Sequence, residues 1–141
     1  MSRIYWDSML FIYWIEDHPQ YAKRVGEIHS RMTARGDQLL TGSFTFGEVL
    51  AGFYRKGYRD QAKQARGQLQ GIVTEVVDFT METADLYAQI RGQLLLPAAD
   101  AIHLASAAQA GTDLFLTNDK RLLGKIVPGI HFIASMQDNI L

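Results

Sequence analysis

The sequence predicts an α/β fold: one domain with a parallel sheet covered by helices on both faces. Three observations predict it. Short β-branched or aromatic runs alternate with helical segments from end to end. The 141 residues are 48% hydrophobic, enough to bury one real core. No repeat, low-complexity tract or linker divides the chain, so residues 1–141 are read as a single domain.

The elements follow in order. "RIYWD" (3–7) reads as a short buried strand ending at Asp7. "SMLFIYWIED" reads as a helix that stops before Pro19. Residues 20–35 form an amphipathic helix closed by Gly36, and "QLLTG" (38–42) is the second strand. Two helices, 45–56 and 60–70, are joined at Gly57. "GIVTEVVDF" (71–79) is β-branched and reads as the third strand. Thr80 can cap a helix across 81–94. Pro97 opens the next segment, and "ADAIHLASAAQA" (99–110) is an Ala-rich helix ended by Gly111. "DLFLTND" (113–119) is the fourth strand, a short helix lies near 120–125, and "GIHFIA" (129–134) is the fifth strand. Ala101, Ala105 and Ala108 fall on one helical stripe, where small side chains allow close packing on the sheet.

Charge and composition exclude some functions. A formal net charge of -1 gives no overall basic field, so nucleic acid would be met by a local patch or through metal ions. The absence of cysteine removes disulfides, thiolate nucleophiles and zinc-thiolate sites, and fits a reducing compartment. No basic-apolar leader is visible, and no run of about 18 apolar residues appears. The expected location is the cytoplasm, with no membrane partner.

Four carboxylates recur in one local setting. Asp7 and Asp119 end the first and fourth strands, Asp100 opens the Ala-rich helix, and Glu48 lies in the first turn of the helix after strand two. In an open parallel sheet ligands bind beyond the carboxyl ends of the strands, where strand order reverses. Capping and the helix dipole place acidic residues at helix starts for purely structural reasons too. "TFGE" (45–48) fits a capping box, with Phe44 and Val49 as its staple. Spacing leaves both readings open. If the four converge, two like charges about 4 Å apart repel by about 4 kcal/mol at an effective dielectric near 20. Such a group protonates or takes up a cation. Oxygen ligands select Mg²⁺, or Mn²⁺ as the alternative, and such an ion serves phosphoryl chemistry.

"IYWDSMLFIY", "TFGEVLAG", "AADAIHLASA" and "LTNDKRL", in this order and with Arg91 nine residues before Asp100, resemble the PIN-domain ribonucleases, in particular the VapC-type toxins of bacterial toxin–antitoxin pairs. The resemblance implies a five-stranded parallel sheet in the order 3-2-1-4-5 and metal-dependent cleavage of RNA. It implies that Asp7 and Asp100 hold magnesium, while Glu48 and Asp119 hold it directly or through water and orient the attacking water. It further implies a homodimer and a cognate antitoxin protein covering the active-site groove. One departure is visible: Met9 stands where the family often has Asn.

Ser8, Thr117 and Asn118 are candidates to hydrogen-bond the carboxylates or metal waters, with turn and cap chemistry as the other reading. Lys120 and Arg121 are the preferred phosphate contacts. The cluster "YRKGYRDQAKQAR" (54–66) fits RNA contact, a partner groove or a solvated helix face. His103, one turn from Asp100, is read as a packed or hydrogen-bonded histidine rather than a ligand. The function expected is a Mg²⁺-dependent endoribonuclease acting as a toxin. The alternative is a catalytically inactive PIN-fold protein-interaction module. A phosphoaspartate phosphatase or receiver domain fits poorly, because the position two after Asp7 is Met9 rather than Asp.

Overall fold

The structure, a computed structural model, describes residues 1–141. Its sheet has five strands: β1 (Arg3–Trp6), β2 (Gln38–Gly42), β3 (Glu75–Val77), β4 (Thr112–Thr117) and β5 (Ile130–Ser135). The order is β3-β2-β1-β4-β5 and every pairing is parallel. The chain winds outward from β1 through β2 to β3, then returns to place β4 on the other side of β1. Strand order therefore reverses between β1 and β4, the place at whose carboxyl edge open parallel sheets bind ligands. Asp7 and Asp119 follow those two strands.

Pleating sends alternate residues of each strand to opposite faces. Ile4 and Trp6 of β1 join Leu39, Leu114 and Leu116 in one core, against Leu10 and Phe11 of α1 (Ser8–Ile15) and Val25, Ile28 and Met32 of α2 (Ala22–Arg35). Val49 of α3 (Ser43–Arg55) and Leu69 of α4 (Arg59–Ile72) complete that core. Tyr5 points the other way, with Leu40 and Phe115, toward Ile90 of α5 (Met81–Leu94) and Ala101, Leu104 and Ala105 of α6 (Ala98–Ala110). Each large side chain fully buried there contributes about 1.5–3 kcal/mol. The alanines let α6 approach the sheet closely, and Ala101 and Ala105 are completely buried.

Most elements lie where the periodicity puts them, and the differences have local causes. The first strand ends at Trp6, because Asp7 caps α1 by accepting from the Ser8 N–H at 2.7 Å. The helix after β2 starts at Ser43 rather than 45, and Gly42 is its cap. Thr45 is therefore inside the helix, buried, and accepts from the Thr41 hydroxyl at 2.7 Å. The expected capping box with Glu48 does not form, nor does a Phe44–Val49 staple: Val49 is core, while Phe44 packs on His103. The β-branched run 71–79 yields only three strand residues, since α4 continues to Ile72 and packs it against the core. The segment after Asp119 is a single 3₁₀ turn, Lys120–Leu122. The side chains of Arg55, Lys56, Arg59, Lys63 and Arg66 are exposed. No helix is long and apolar enough to cross a membrane.

Gly129 joins the last loop to β5 with φ +98°, a conformation that side chains rarely adopt. A Cβ there would also lie 2.7 Å from the Ala108 carbonyl oxygen. Gly129→Ala is expected to destabilise the fold by about 1–3 kcal/mol. Urea denaturation with an unchanged midpoint would contradict this packing.

Candidate active site

The acidic side chains come to the carboxyl edge of the sheet from four separate segments. Asp7 follows β1 and is only 6% exposed. Its Oδ1 accepts from the Ser8 backbone N–H, and its Oδ2 accepts from the Thr117 hydroxyl at 2.8 Å. Thr117 Oγ1 also accepts from the Asp119 N–H at 3.0 Å, so one hydroxyl ties the ends of β1 and β4 together. Asp100 sits in the first turn of α6. The turn before that helix holds Leu95 in the left-handed region, φ 54°, and the Arg91 guanidinium donates to the Leu96 carbonyl. Arg91 thus fixes the entry of the helix that carries Asp100.

The site contains two linked groups. In the first, Arg121 binds Asp119 through Nη2 at 2.6 Å and through Nε to both carboxylate oxygens, at 3.1 and 3.2 Å. The same Nη2 reaches Asp100 Oδ2 at 3.3 Å. In the second, His103 Nε2 lies 2.5 Å from Glu48 Oε1 and 3.8 Å from Asp7 Oδ1. His103 Nδ1 is 3.0 Å from the Tyr5 hydroxyl, which accepts from the Gly42 N–H at 2.9 Å. Burial pushes the Tyr5 phenol far above its ordinary range, so it keeps its proton.

The electrostatics show that the carboxylates feel one another. Burial raises the Asp100 carboxyl above the usual carboxylate range, and the charges of Asp119 and Asp7 raise it further. Arg121 opposes this in part. Asp119 moves the other way: hydrogen bonds from the Arg121 side chain hold its carboxyl below the ordinary value.

The sequence candidates divide on this evidence of contact. Asp7, Asp100 and Asp119 share one electrostatic neighbourhood, and Glu48 joins Asp7 through His103. Thr117 contacts Asp7 directly, while Ser8 reaches it by its backbone. Asn118 does not face the carboxylates. Its amide donates to the Tyr13 hydroxyl at 3.0 Å and accepts from Gln137 at 2.8 Å. Lys120 is exposed, whereas Arg121 is turned back onto the acids. Tyr5 was invisible as a site residue, because a strand tyrosine reads as core and only the His103 contact reveals its second role.

A family model for the PIN domain matches residues 4–126. This chain belongs to the PIN domain family. Its fold resembles VapBC2 from Rickettsia felis, crystallised on a DNA fragment of the promoter, with a TM-score of 0.75 and 15% identity over 94% of this chain and 98% of that one. It also resembles a toxin–antitoxin complex from Klebsiella pneumoniae, with a TM-score of 0.64 and 17% identity over 90% of this chain and 94% of that one. No curated protein sequence matches the chain.

The residues present fit a hard divalent ion. All four acids of this PIN domain offer carboxylate oxygen, the donor that Mg²⁺ and Mn²⁺ prefer. Asp100 and Asp119 already hold a positive group between them, the Arg121 guanidinium. No three carboxylate or imidazole groups close into a finished coordination sphere, since Glu48 is turned to His103 and the other pair to Arg121. Mg²⁺ needs only one or two carboxylates, because it retains several waters.

The two shifted carboxyls make a pH prediction. Asp100 is raised in the folded state, so its contribution to stability is present below the ordinary carboxylate range and lost as pH rises through its folded value. Asp119 is lowered, so its contribution is present above the ordinary range and lost as pH falls through its folded value. In EDTA at neutral pH, Asp100→Asn is expected to raise the melting temperature and Asp119→Asn to lower it, each by a few degrees. Both differences should fade as pH falls through the carboxylate range, that of Asp119 at the lower pH. Shifts of the same sign at neutral pH would contradict the electrostatic assignment.

Proposed function

We propose that this PIN domain is a Mg²⁺-dependent endoribonuclease, with Mn²⁺ able to replace Mg²⁺, acting as the toxin of a type II toxin–antitoxin pair. The observation that carries the reading is the meeting of four acidic segments at the switch point of the sheet, with a guanidinium drawn between two of them. The likeness to toxin–antitoxin complexes supports the toxin role. Asp7 and Asp100 would hold the ion, with Glu48 and Asp119 as further ligands or partners of its waters. When bound, the ion supplies charge neutralisation on the phosphate and a more acidic water.

The chain's own residues do the rest. Glu48 and Asp119 orient the attacking water and take its proton. Water adds to phosphorus and the bond to one ribose oxygen breaks; that oxygen takes up a proton, from the carboxylate that accepted one or from solvent, leaving a phosphate on one fragment and a hydroxyl on the other. Thr117 keeps Asp7 in place through the reaction. Lys120 and a released Arg121 take neighbouring phosphates of the RNA. An apolar groove of about 310 Å³ between α1 and α4, lined by Phe11, Trp14, Ile15, Leu69 and Ile72, supports an antitoxin seat. A homodimer belongs to the same reading.

RNA cleavage is expected with Mg²⁺ and not in EDTA. Asp7→Asn should cost at least about a hundredfold in rate while leaving the protein folded. Cleavage that survives complete chelation rules the mechanism out. Full biological effect of both Asp7→Asn and Asp100→Ala would favour the inactive interaction module instead.

Arg121 should compete with the ion for Asp100 and Asp119. Calorimetric titration of Arg121→Ala with Mn²⁺ is expected to show roughly two- to fivefold tighter binding. The same variant should raise KM for RNA. Weaker Mn²⁺ binding would show that the guanidinium supports the metal site rather than occupying it.

A further inference from the structure

Glu48 is the one acid of the site whose direction is set by a buried side chain from another helix. His103 is only 2% exposed and makes two hydrogen bonds, to Glu48 Oε1 at 2.5 Å and to the Tyr5 hydroxyl at 3.0 Å. A neutral imidazole has one donor nitrogen and one acceptor, and its neighbours decide which is which. Here Glu48 decides it. An ionised carboxylate only accepts, so at 2.5 Å from Glu48 Oε1 the Nε2 atom carries the ring proton and donates. Nδ1 of the neutral ring is then the acceptor, and the Tyr5 hydroxyl, which already accepts from the Gly42 N–H, can donate to it.

The surroundings preserve this order. Tyr5 stacks on Phe115 with centroids 5.2 Å apart and planes 8° apart, so its hydroxyl has a fixed position. A Cβ at residue 42 would lie 2.9 Å from Tyr5 Oη, so glycine is what admits the phenol. Phe44 packs against the imidazole at 5.6 Å on the solvent side.

We propose that His103 is a positioning residue: locked by Tyr5 with its proton on Nε2, it holds Glu48 by one oxygen and presents the other to the divalent ion and its waters. The inference deepens the ribonuclease reading and rests on it for the divalent ion and for the kinetic arm, while the NMR arm stands on the metal-free protein alone. His103 touches neither the metal nor RNA. It acts through Glu48, as outer hydrogen-bond partners of metal ligands generally do.

The test uses the full chain and three readouts. Long-range ¹⁵N–¹H NMR of the metal-free protein should show the His103 proton on Nε2, and Tyr5→Phe should let the Nδ1–H form appear. A wild-type ring protonated on Nδ1 overturns the proposal. Calorimetry with Mn²⁺ should show affinity falling about tenfold or more in His103→Leu. His103→Gln, whose amide nitrogen can stand where Nε2 stands, should keep most of the affinity. Equal losses in the two folded variants would mean that the ring merely fills space, and overturn the proposal. In a Glu48→Ala background, His103→Leu should add almost nothing; a full additive loss also overturns it. Should His103→Leu fail to fold, the NMR and the Gln variant still decide. In RNA cleavage, His103→Leu should lower kcat with KM nearly unchanged. Mn²⁺ binding that follows this pattern in a protein that cuts no RNA would sink the ribonuclease reading and leave the positioning role standing.

Discussion

Carboxylates crowded at the edge of a sheet repel one another, and burial sharpens the repulsion by thinning the solvent between them. Here every acid has an answer to that problem. Asp7 spends its two oxygens on a backbone N–H and a threonine hydroxyl. Glu48 leans on an imidazole, and Asp100 and Asp119 share a guanidinium. Asp100 has the least satisfied surroundings, and its raised carboxyl records that imbalance. Asp100 is thus left short of positive charge, a demand that the proposed ion would meet.

Topology makes the crowding unavoidable. A parallel sheet sends every strand's carboxyl end, and the start of every following helix, to the same rim. Placing β4 beside β1 brings Asp119 and Asp7 to adjacent strand ends, and the shared Thr117 hydroxyl sets their spacing. The opposite rim is tied just as firmly. There Arg3 bonds Gln38, Glu75 and two carbonyls at the end of α6, joining β1 to β2, β3 and that helix. One rim is built from matched charges and the other from charges in excess.

The sheet and the rim were legible because they depend on chain-local signals. Alternation of strands and helices, Gly36 and Gly111 after helices, and Thr80 before one are read without knowing any contact. The positions of Asp7, Asp100 and Asp119 followed from the same local grammar. Contacts between distant segments were not legible. "TFGE" has the form of a capping box, but His103, fifty-five residues away, takes Glu48 instead. Asn118 looks like a metal-site amide until Tyr13 and Gln137 claim both of its ends. The third strand was overestimated because β-branched residues suit the last turn of a packed helix as well as an edge strand. The charge of Arg121 was legible, but not its pairing with Asp100 and Asp119, because sequence does not show where a side chain turns.

The two tryptophans of the chain occupy neighbouring places. Trp6 and Trp14 have ring centroids 5.9 Å apart, and His29 lies 4.9 Å from Trp14. Trp14 lines the groove between α1 and α4, while Trp6 is the residue before Asp7. All the indole fluorescence of this molecule therefore originates in one aromatic nest, buried on the α1 and α2 side of the sheet. A partner seated in that groove would meet Trp14 and, through it, the whole nest, so the emission reports on that side of the molecule.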